Sequence, residues 1–145
     1  MRVRMMPRWL SLFLVFVALG VNVSTVLGDG AGEKAAVAAA QAWLGEVDAG
    51  NYSRSWKDAA GYFRGAVTEK GWSDALNGTR KPLGSLVSRK LASVRSVTSL
   101  PGAPDGVYVV MQFDTSFSNK KAAVETVAFM QEKDGKWKAA GYYIK

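Results

Sequence analysis

The chain has 145 residues, 48% of them apolar, and a formal net charge of +7. That length suits one domain with an adequate core. The absence of cysteine and histidine excludes disulfides, thiol nucleophiles, a cysteine-linked lipid anchor and nucleophiles activated by histidine, and it removes the commonest ligand of zinc, copper and haem sites. We therefore predict no cofactor and no metal, and any catalysis would depend on carboxylates, lysine or tyrosine.

The first 28 residues have the layout of a secretory signal peptide. A head with three arginines precedes the uncharged stretch 10–21, and small residues follow near Gly28. We therefore predict a signal peptide over 1–28, a flexible linker over 29–34 and a single domain over 35–145, in a protein exported to the bacterial periplasm or secreted. An uncleaved anchor is the alternative, because the uncharged run continues through Leu27 and approaches the roughly 18 to 20 residues that span a bilayer.

Part of the positive charge belongs to this first segment. Its removal leaves 16 Lys and Arg against 12 Asp and Glu, a net charge of +4. The remaining basic residues are scattered and form no stripe interleaved with aromatic residues, which is the pattern typical of nucleic-acid binding. The sequence predicts no nucleic-acid partner, and membrane contact only through the first segment if it is not cleaved. A weak affinity for anionic envelope polymers or lipid head groups is the alternative.

Three helices are predicted before the sheet. Residues 33–50 repeat apolar side chains at the spacing of one helix face, and the final glycine ends that helix. A second helix starts from Asn51 as its N-cap and carries apolar residues through Phe63. A third, capped by Thr68, ends before Pro82.

About four antiparallel strands follow the helices. Residues 86–100 alternate weakly and are followed by the reversing loop 101–106 and a second strand over 107–117. A turn at 118–121 leads into the third strand, and the dipeptide at 134–135 predicts a two-residue type I′ hairpin into the last strand. Helices followed by strands indicate an α+β domain in which N-terminal helices pack on an antiparallel sheet.

The lengths of these turns decide which residues share a face of the sheet, and a turn at 118–121 that is one residue longer or shorter would shift the pairing. The predicted pairs are Phe113 with Thr126, Asp114 with Glu125, Glu132 with Trp137, Met130 with Ala139, and Ala128 with Gly141. The face predicted to lie under the helices carries Met111, Phe113, Met130, Trp137 and Tyr143. The second face carries Tyr108, Asp114, Glu125, Phe129, Lys138 and Tyr142.

The order of several short motifs carries a family resemblance. These motifs are Ser55-Trp56, Leu100-Pro101-Gly102, Pro104-Asp105-Gly106-Val107-Tyr108, Asp134-Gly135-Lys136-Trp137 and Gly141-Tyr142, together with Trp43, Asp48, Tyr52, Phe63, Trp72, Arg80, Gly84, Arg89, Phe113, Phe117, Lys120 and Glu125. Over residues 35–145 the chain resembles an exported bacterial family known as domain of unknown function 4019. The resemblance implies a cystatin-like or nuclear-transport-factor-like fold, a curved sheet that wraps helices into a cone. It implies no activity, because that fold hosts enzymes, binders and dimerisation modules.

Glu125 is the clearest candidate for chemistry. It lies in mid-strand between apolar residues, and Arg89 is a possible charge neighbour. In a cone-shaped pocket a desolvated glutamate could act as a general base or a polar anchor, and Asp114 opposite it would complete a carboxylate pair. A structural ion pair or a solvent-facing strand residue is the alternative.

The second sheet face is the candidate surface for partners. Phe129, Tyr142 and Ile144 would leave it apolar and uncovered, which is a mark of association. Six aromatic residues could line a ligand pocket, but their spacing also fits an ordinary core: Trp43, Trp56, Phe63, Trp72, Trp137 and Tyr143. The predicted ligand or partner set is Arg89, Tyr108, Glu125, Phe129 and Tyr142.

Two functions follow from these observations. The preferred one is a non-enzymatic exported binding or interaction module, which forms a homodimer or contacts an envelope protein through the second sheet face. The alternative is a small-molecule pocket enzyme of the isomerase or dehydratase type that uses Glu125 as its acid or base. The alternative requires a cavity with Glu125 inside.

Overall fold

The computed structural model describes residues 30–145, so the predicted signal peptide lies outside the described residues. In chain order the elements are α1 (Gly30–Asp48), α2 (Tyr52–Lys57), α3 (Gly61–Ala66), α4 (Glu69–Thr79), a 3-10 helix (Lys81–Leu83), β1 (Leu86–Val97), β2 (Tyr108–Phe117), β3 (Lys120–Gln131) and β4 (Trp137–Ile144). The four strands form one antiparallel sheet in the order β1-β2-β3-β4. The α+β prediction is confirmed. Within residues 30–145 no helix is both long and apolar enough to cross a membrane.

The helices cover one face of the sheet and form the core with it. The side chains that α1 buries are Ala36, Ala40, Trp43, Leu44 and Val47. The sheet residues in the same cluster are Val109, Met111, Phe113, Val127, Phe129, Ala139 and Tyr142. Each large apolar side chain buried in this way contributes about 1.5–3 kcal/mol.

The first described residues correct one prediction. Residues 30–34 are helical and belong to α1 rather than to a flexible linker. Glu33 Oε1 accepts a hydrogen bond from Ser96 Oγ at 2.7 Å. This contact connects α1 with β1.

The predicted second helix is two short helices, α2 and α3, broken at residues 58–60. Ala60 is extended at the start of α3, and its N–H donates to Ala139 O of β4 at 2.8 Å. Asn51 does precede α2 as predicted, but its side chain makes no capping hydrogen bond. The predicted cap of α4 is confirmed, because Thr68 Oγ1 accepts from Gly71 N at 3.1 Å.

The turn between β2 and β3 is shorter than predicted. Phe117 pairs with Lys120, which leaves only residues 118–119 in the turn. Backbone N–H groups of both turn residues donate to carbonyls of Ser85 and Leu83 at 2.9 Å, so contacts with the preceding segment determine the turn. The predicted register is wrong by one residue: Phe113 pairs with Glu125, and Asp114 pairs with Val124.

The last hairpin also differs from the prediction. Gly135 N donates to Glu132 O and Glu132 N donates to Lys136 O, both at 2.8 Å. Gly135 has a φ of 81°, so the loop is a three-residue turn with glycine in the left-handed position rather than a two-residue type I′ turn. Near the loop Gln131 pairs with Trp137, and a bulge then restores the predicted pairing of Ala128 with Gly141.

These registers change the predicted faces. Met111, Phe113 and Trp137 lie on the helix-covered face, as predicted, but Met130 and Tyr143 lie on the opposite face. Phe129 and Tyr142 are in the core, with 2% and 6% of their surface exposed. The predicted apolar second face built on Phe129 and Tyr142 is therefore wrong, because a one-residue slip moves side chains to the other side of a sheet.

Candidate functional site

Glu125 is fully buried, with 0% of its surface exposed, and both of its oxygens are bound within the chain. Oε1 accepts from Thr115 Oγ1 at 2.6 Å and from Arg89 Nε at 2.7 Å. Oε2 accepts from Arg89 Nη2 at 3.2 Å and from the Tyr142 hydroxyl. An ionised carboxylate offers about four lone-pair sites, and these four hydrogen bonds occupy them.

Each strand supplies one member of this group. Arg89 of β1 pairs with Thr115 of β2, while Glu125 of β3 and Tyr142 of β4 lie on the same covered face. Side chains two residues apart on a strand share a face, so the observed registers bring all four together beneath the helices. The predicted charge neighbour of Glu125, Arg89, is confirmed.

A second carboxylate joins the group from the helical layer. Asp48, the last residue of α1, accepts from Arg89 Nη1 at 2.8 Å and Nη2 at 3.0 Å, and from Arg80 Nη2 at 3.1 Å. Arg80 also donates from Nη1 to Gly84 O at 2.6 Å, and its guanidinium carbon lies 4.3 Å from the centroid of the Phe117 ring. We call Asp48, Arg80, Arg89 and Glu125 the buried charge network. Two positive and two negative charges compensate each other within it.

Protonation in the network follows from burial and pairing. Burial lowers the pKa of Arg89, but hydrogen bonds from its guanidinium to Asp48 and Glu125 outweigh this effect and hold that pKa above its usual value. Burial, and then the adjacent Glu125 charge, raise the pKa of Tyr142 well above the usual value. Arg89 is therefore charged and Tyr142 is neutral at physiological pH, which keeps both as donors to Glu125.

This geometry fits a structural ion pair better than an acid or base. Glu125 is fully buried, and both of its oxygens are bound to Arg89, Thr115 and Tyr142, so they are not presented to a substrate. Asp114 is exposed on the opposite face and pairs with Val124. The predicted pair of Glu125 with Asp114 is therefore wrong.

An apolar crevice lies beside β4, bounded by α3, the loop between β1 and β2, and the outer face of the sheet. Its volume is about 60 Å³. Its lining includes Tyr62, Ala66, Leu100, Tyr108, Ala128, Gly141 and Tyr143, and we call this feature the β4 crevice. The Tyr62 hydroxyl donates to Gly102 O at 2.7 Å and the Tyr108 hydroxyl donates to Pro104 O. These bonds fix the loop and turn both rings towards the crevice.

The family model described as protein of unknown function (DUF4019) matches residues 39–142. The chain belongs to this family. The matched range contains the whole buried charge network, but the family's description assigns no activity to it. No curated protein and no solved structure matches the chain.

In this DUF4019 domain, three of the five predicted site residues meet: Arg89, Glu125 and Tyr142. Phe129 belongs instead to the aromatic core, where its ring centroid is 6.0 Å from that of Trp43. Tyr108 is on the opposite sheet face, buried beneath the loop between β1 and β2. Burial raises its pKa, and the neighbouring Tyr62 and Asp105 raise it further.

Of the six predicted aromatic residues, Trp43 and Trp72 belong to the core, whereas Phe63 and Tyr143 also line the β4 crevice. Trp43 and Trp72 stack with ring centroids 5.9 Å apart. Their indole N–H groups donate to Ser55, from Trp43 to its carbonyl oxygen at 2.8 Å and from Trp72 to its hydroxyl at 2.9 Å. Buried indole groups usually need such a partner, and Ser55 supplies it for both.

Asp48, Arg80 and Thr115 were not predicted as members of the site. Asp48 did carry a signal, because an acidic residue in the last turn of a helix is unfavourable beside the negative end of the helix dipole unless a cation compensates it. Arg80 and Arg89 are those cations. Thr115 carried no such signal, since threonine is common in strands.

Proposed function

We propose that the chain is an exported, non-enzymatic binding module that holds an aliphatic chain end of a small molecule in the β4 crevice. Export is supported by the predicted signal peptide over residues 1–28. Binding is supported by one observation above all: an open, mainly apolar crevice is held in shape by hydrogen bonds from Tyr62 and Tyr108. Burying apolar surface there is favourable by about 25 cal/mol per Å².

The size of the crevice selects the ligand class. Its volume of about 60 Å³ is well below the roughly 150 Å³ of an engineered cavity that holds benzene. The crevice therefore suits the end of a narrow alkyl chain better than a complete aromatic ring. The open mouth leaves the polar end of such a ligand in water.

Polar groups near the crevice are already occupied by hydrogen bonds, which is unfavourable for catalysis. The tyrosine hydroxyls at 62 and 108 are already bound to backbone carbonyls, so the rings and not the hydroxyls face a ligand. Glu125, which the alternative enzyme would use, is saturated by four hydrogen bonds on the other face of the sheet. This contrast favours binding over isomerase or dehydratase chemistry.

The experiment is a titration of the purified protein with n-hexanol, followed by amide resonances in two-dimensional NMR. We expect saturable shifts at Leu100, Ala128 and Gly141, and weaker binding of benzyl alcohol because its ring is too wide. Ala66→Trp fills the crevice from its exposed rim at the end of α3 and should weaken hexanol binding by about tenfold or more, equivalent to 1.4 kcal/mol.

Ala38→Trp is the matched control, because Ala38 is an exposed alanine of α1 outside the crevice. It should leave the hexanol affinity unchanged. Equal binding by both tryptophan variants would refute the crevice as the site. A dimer that Ala66→Trp alone converts to a monomer, detected by light scattering, would show instead that a second copy of the chain occupies the crevice.

A further inference from the structure

A second concavity opens where the C-terminal ends of α1 and α4 converge. Its volume is about 580 Å³, and Asp48, Tyr52, Ser73, Asn77, Lys81 and Ser85 contribute to its lining. We call it the polar hollow. It lies at the outer end of the buried charge network, because Asp48 and Arg80 border both features.

The charges at the hollow are largely compensated inside the protein. Asp48 accepts three hydrogen bonds from Arg80 and Arg89, so it has little attraction left for a cation. Arg80 is 3% exposed and donates to Asp48 and to Gly84 O, so it is not presented to an anion. Lys81 adds one positive charge at the rim, beside the partially negative ends of two helices. A strongly charged ligand is therefore not favoured.

The uncharged groups of the hollow suit a ligand with many hydroxyls. Ser73 and Ser85 carry hydroxyls and Asn77 carries an amide, and each of these groups can both donate and accept hydrogen bonds. Vicinal hydroxyls of a sugar require that double capacity. The half-buried Tyr52 ring lies on the wall of the hollow. It offers an apolar surface for the C–H face of a sugar ring. The hydroxyls at the edge of that sugar ring would then contact the polar side chains of the hollow.

Size separates the hollow from the β4 crevice. The polar hollow has a volume of about 580 Å³ against about 60 Å³ for the β4 crevice, and it falls in the range of about 300–1,000 Å³ typical of small-molecule sites. It is open to solvent over much of its surface, so it would contact one side of a sugar chain rather than enclose it. We propose that the polar hollow is a binding site for a neutral oligosaccharide, independent of the apolar ligand proposed above.

The test is an NMR titration of the purified protein with maltotriose, cellotriose and tri-N-acetylchitotriose, with glucuronate and glucose 6-phosphate as charged comparisons. We expect at least one neutral trisaccharide to shift the amide resonances of Tyr52, Asn77 and Ser85 to saturation. Because no ion pair is involved, raising the NaCl concentration from 20 mM to about 500 mM should change the Kd by less than about twofold.

Asn77→Ala removes the amide from an exposed helix position and should weaken binding by about tenfold, equivalent to 1.4 kcal/mol. Gln41→Ala, an exposed amide of α1 outside the hollow, is the matched control and should bind as the wild type does. Shifts produced only by the charged sugars, or affinity that falls steeply with salt, would overturn the neutral ligand. The site itself would be refuted if none of the three trisaccharides, each added to a concentration of about 20 mM, perturbed these amide resonances.

Discussion

Glu125 has the sequence features of a catalytic carboxylate, but its role in the structure is to stabilise the fold. A mid-strand glutamate among apolar residues must be paired or neutralised, and here Arg89 lies at 2.7 Å from its Oε1. Breaking a buried pair by removing one partner leaves an uncompensated charge, and this penalty exceeds what the pair itself contributes. The carboxylate is therefore required for stability even though it is closed to substrates.

Glu125→Gln tests this role directly. The substitution keeps the shape of the side chain but leaves Arg80 and Arg89 with Asp48 as their only carboxylate in the network. We expect the free energy of unfolding in urea to fall by about 3–5 kcal/mol. Asp114→Asn, an exposed carboxylate on the opposite face of the sheet, should change it by less than about 0.5 kcal/mol. Equal stabilities of the two variants would contradict a structural role for Glu125.

At the level of single residues, the sequence predicted the contact of Arg89 with Glu125 but not the rest of the network. That contact was predicted only as a possible charge pair: the predicted register placed Glu125 on the second face, and the observed register places it with Arg89 beneath the helices. Asp48 and Arg80 reach the same point from the ends of α1 and α4. Where those helix ends lie relative to the sheet depends on packing of the whole core, which no local pattern encodes.

Some features of the helices and strands depend on residues close by in the sequence, and others depend on contacts with distant elements. The cap of α4 and the presence of four strands were predictable because Thr68 and the alternating runs act within a few residues. The break at residues 58–60 depends on a hydrogen bond from Ala60 N to β4, and the turn at 118–119 depends on hydrogen bonds to Leu83 and Ser85. These two errors lie where one element contacts another, whereas the last hairpin differs from its prediction within its own loop.

Gly84 lies in the segment that contacts the turn between β2 and β3, and a substitution there tests whether that contact determines the turn. It has a φ of 80° and a ψ of −153°, a region nearly restricted to glycine, and a Cβ added there would lie 2.1 Å from Ser118 Oγ in the turn between β2 and β3. Gly84→Ala should therefore lower the free energy of unfolding in urea by about 2 kcal/mol or more.

Gly78→Ala is the matched control for this substitution. Gly78 lies in α4, and a Cβ added there has open space around it. The variant should be more stable than the wild type by about 0.5 kcal/mol, since alanine favours the helix. If Gly84→Ala were as stable as the wild type, the segment before β1 would not determine the geometry of the turn.

Across residues 30–145 as a whole, the helices and the charge network belong to one side of the sheet and the β4 crevice opens mainly on the other. The order of helices and strands was predictable from periodicity and turn residues. The assignment of sheet faces was not, because a slip of one residue between β2 and β3 exchanges the two faces. That slip moved Phe129 and Tyr142 from a predicted interface into the core, and it moved the candidate binding surface to the crevice.

One measurement separates the two sides of the sheet: the affinity for n-hexanol of Glu125→Gln and Ala66→Trp, each compared with the wild type at a temperature where the variant is folded. Tyr142 contacts both features, and glutamine is chosen because its amide oxygen can still accept from that hydroxyl. Thr115→Val, which removes one donor to Glu125, serves as the milder substitution if Glu125→Gln is too unstable.

The account predicts that Glu125→Gln and Thr115→Val bind hexanol within about threefold of the wild type, a difference below 0.7 kcal/mol, while Ala66→Trp loses binding. If the network variants lost hexanol binding while Ala66→Trp retained it, the β4 crevice would not be the binding site. The functional site would then include Glu125.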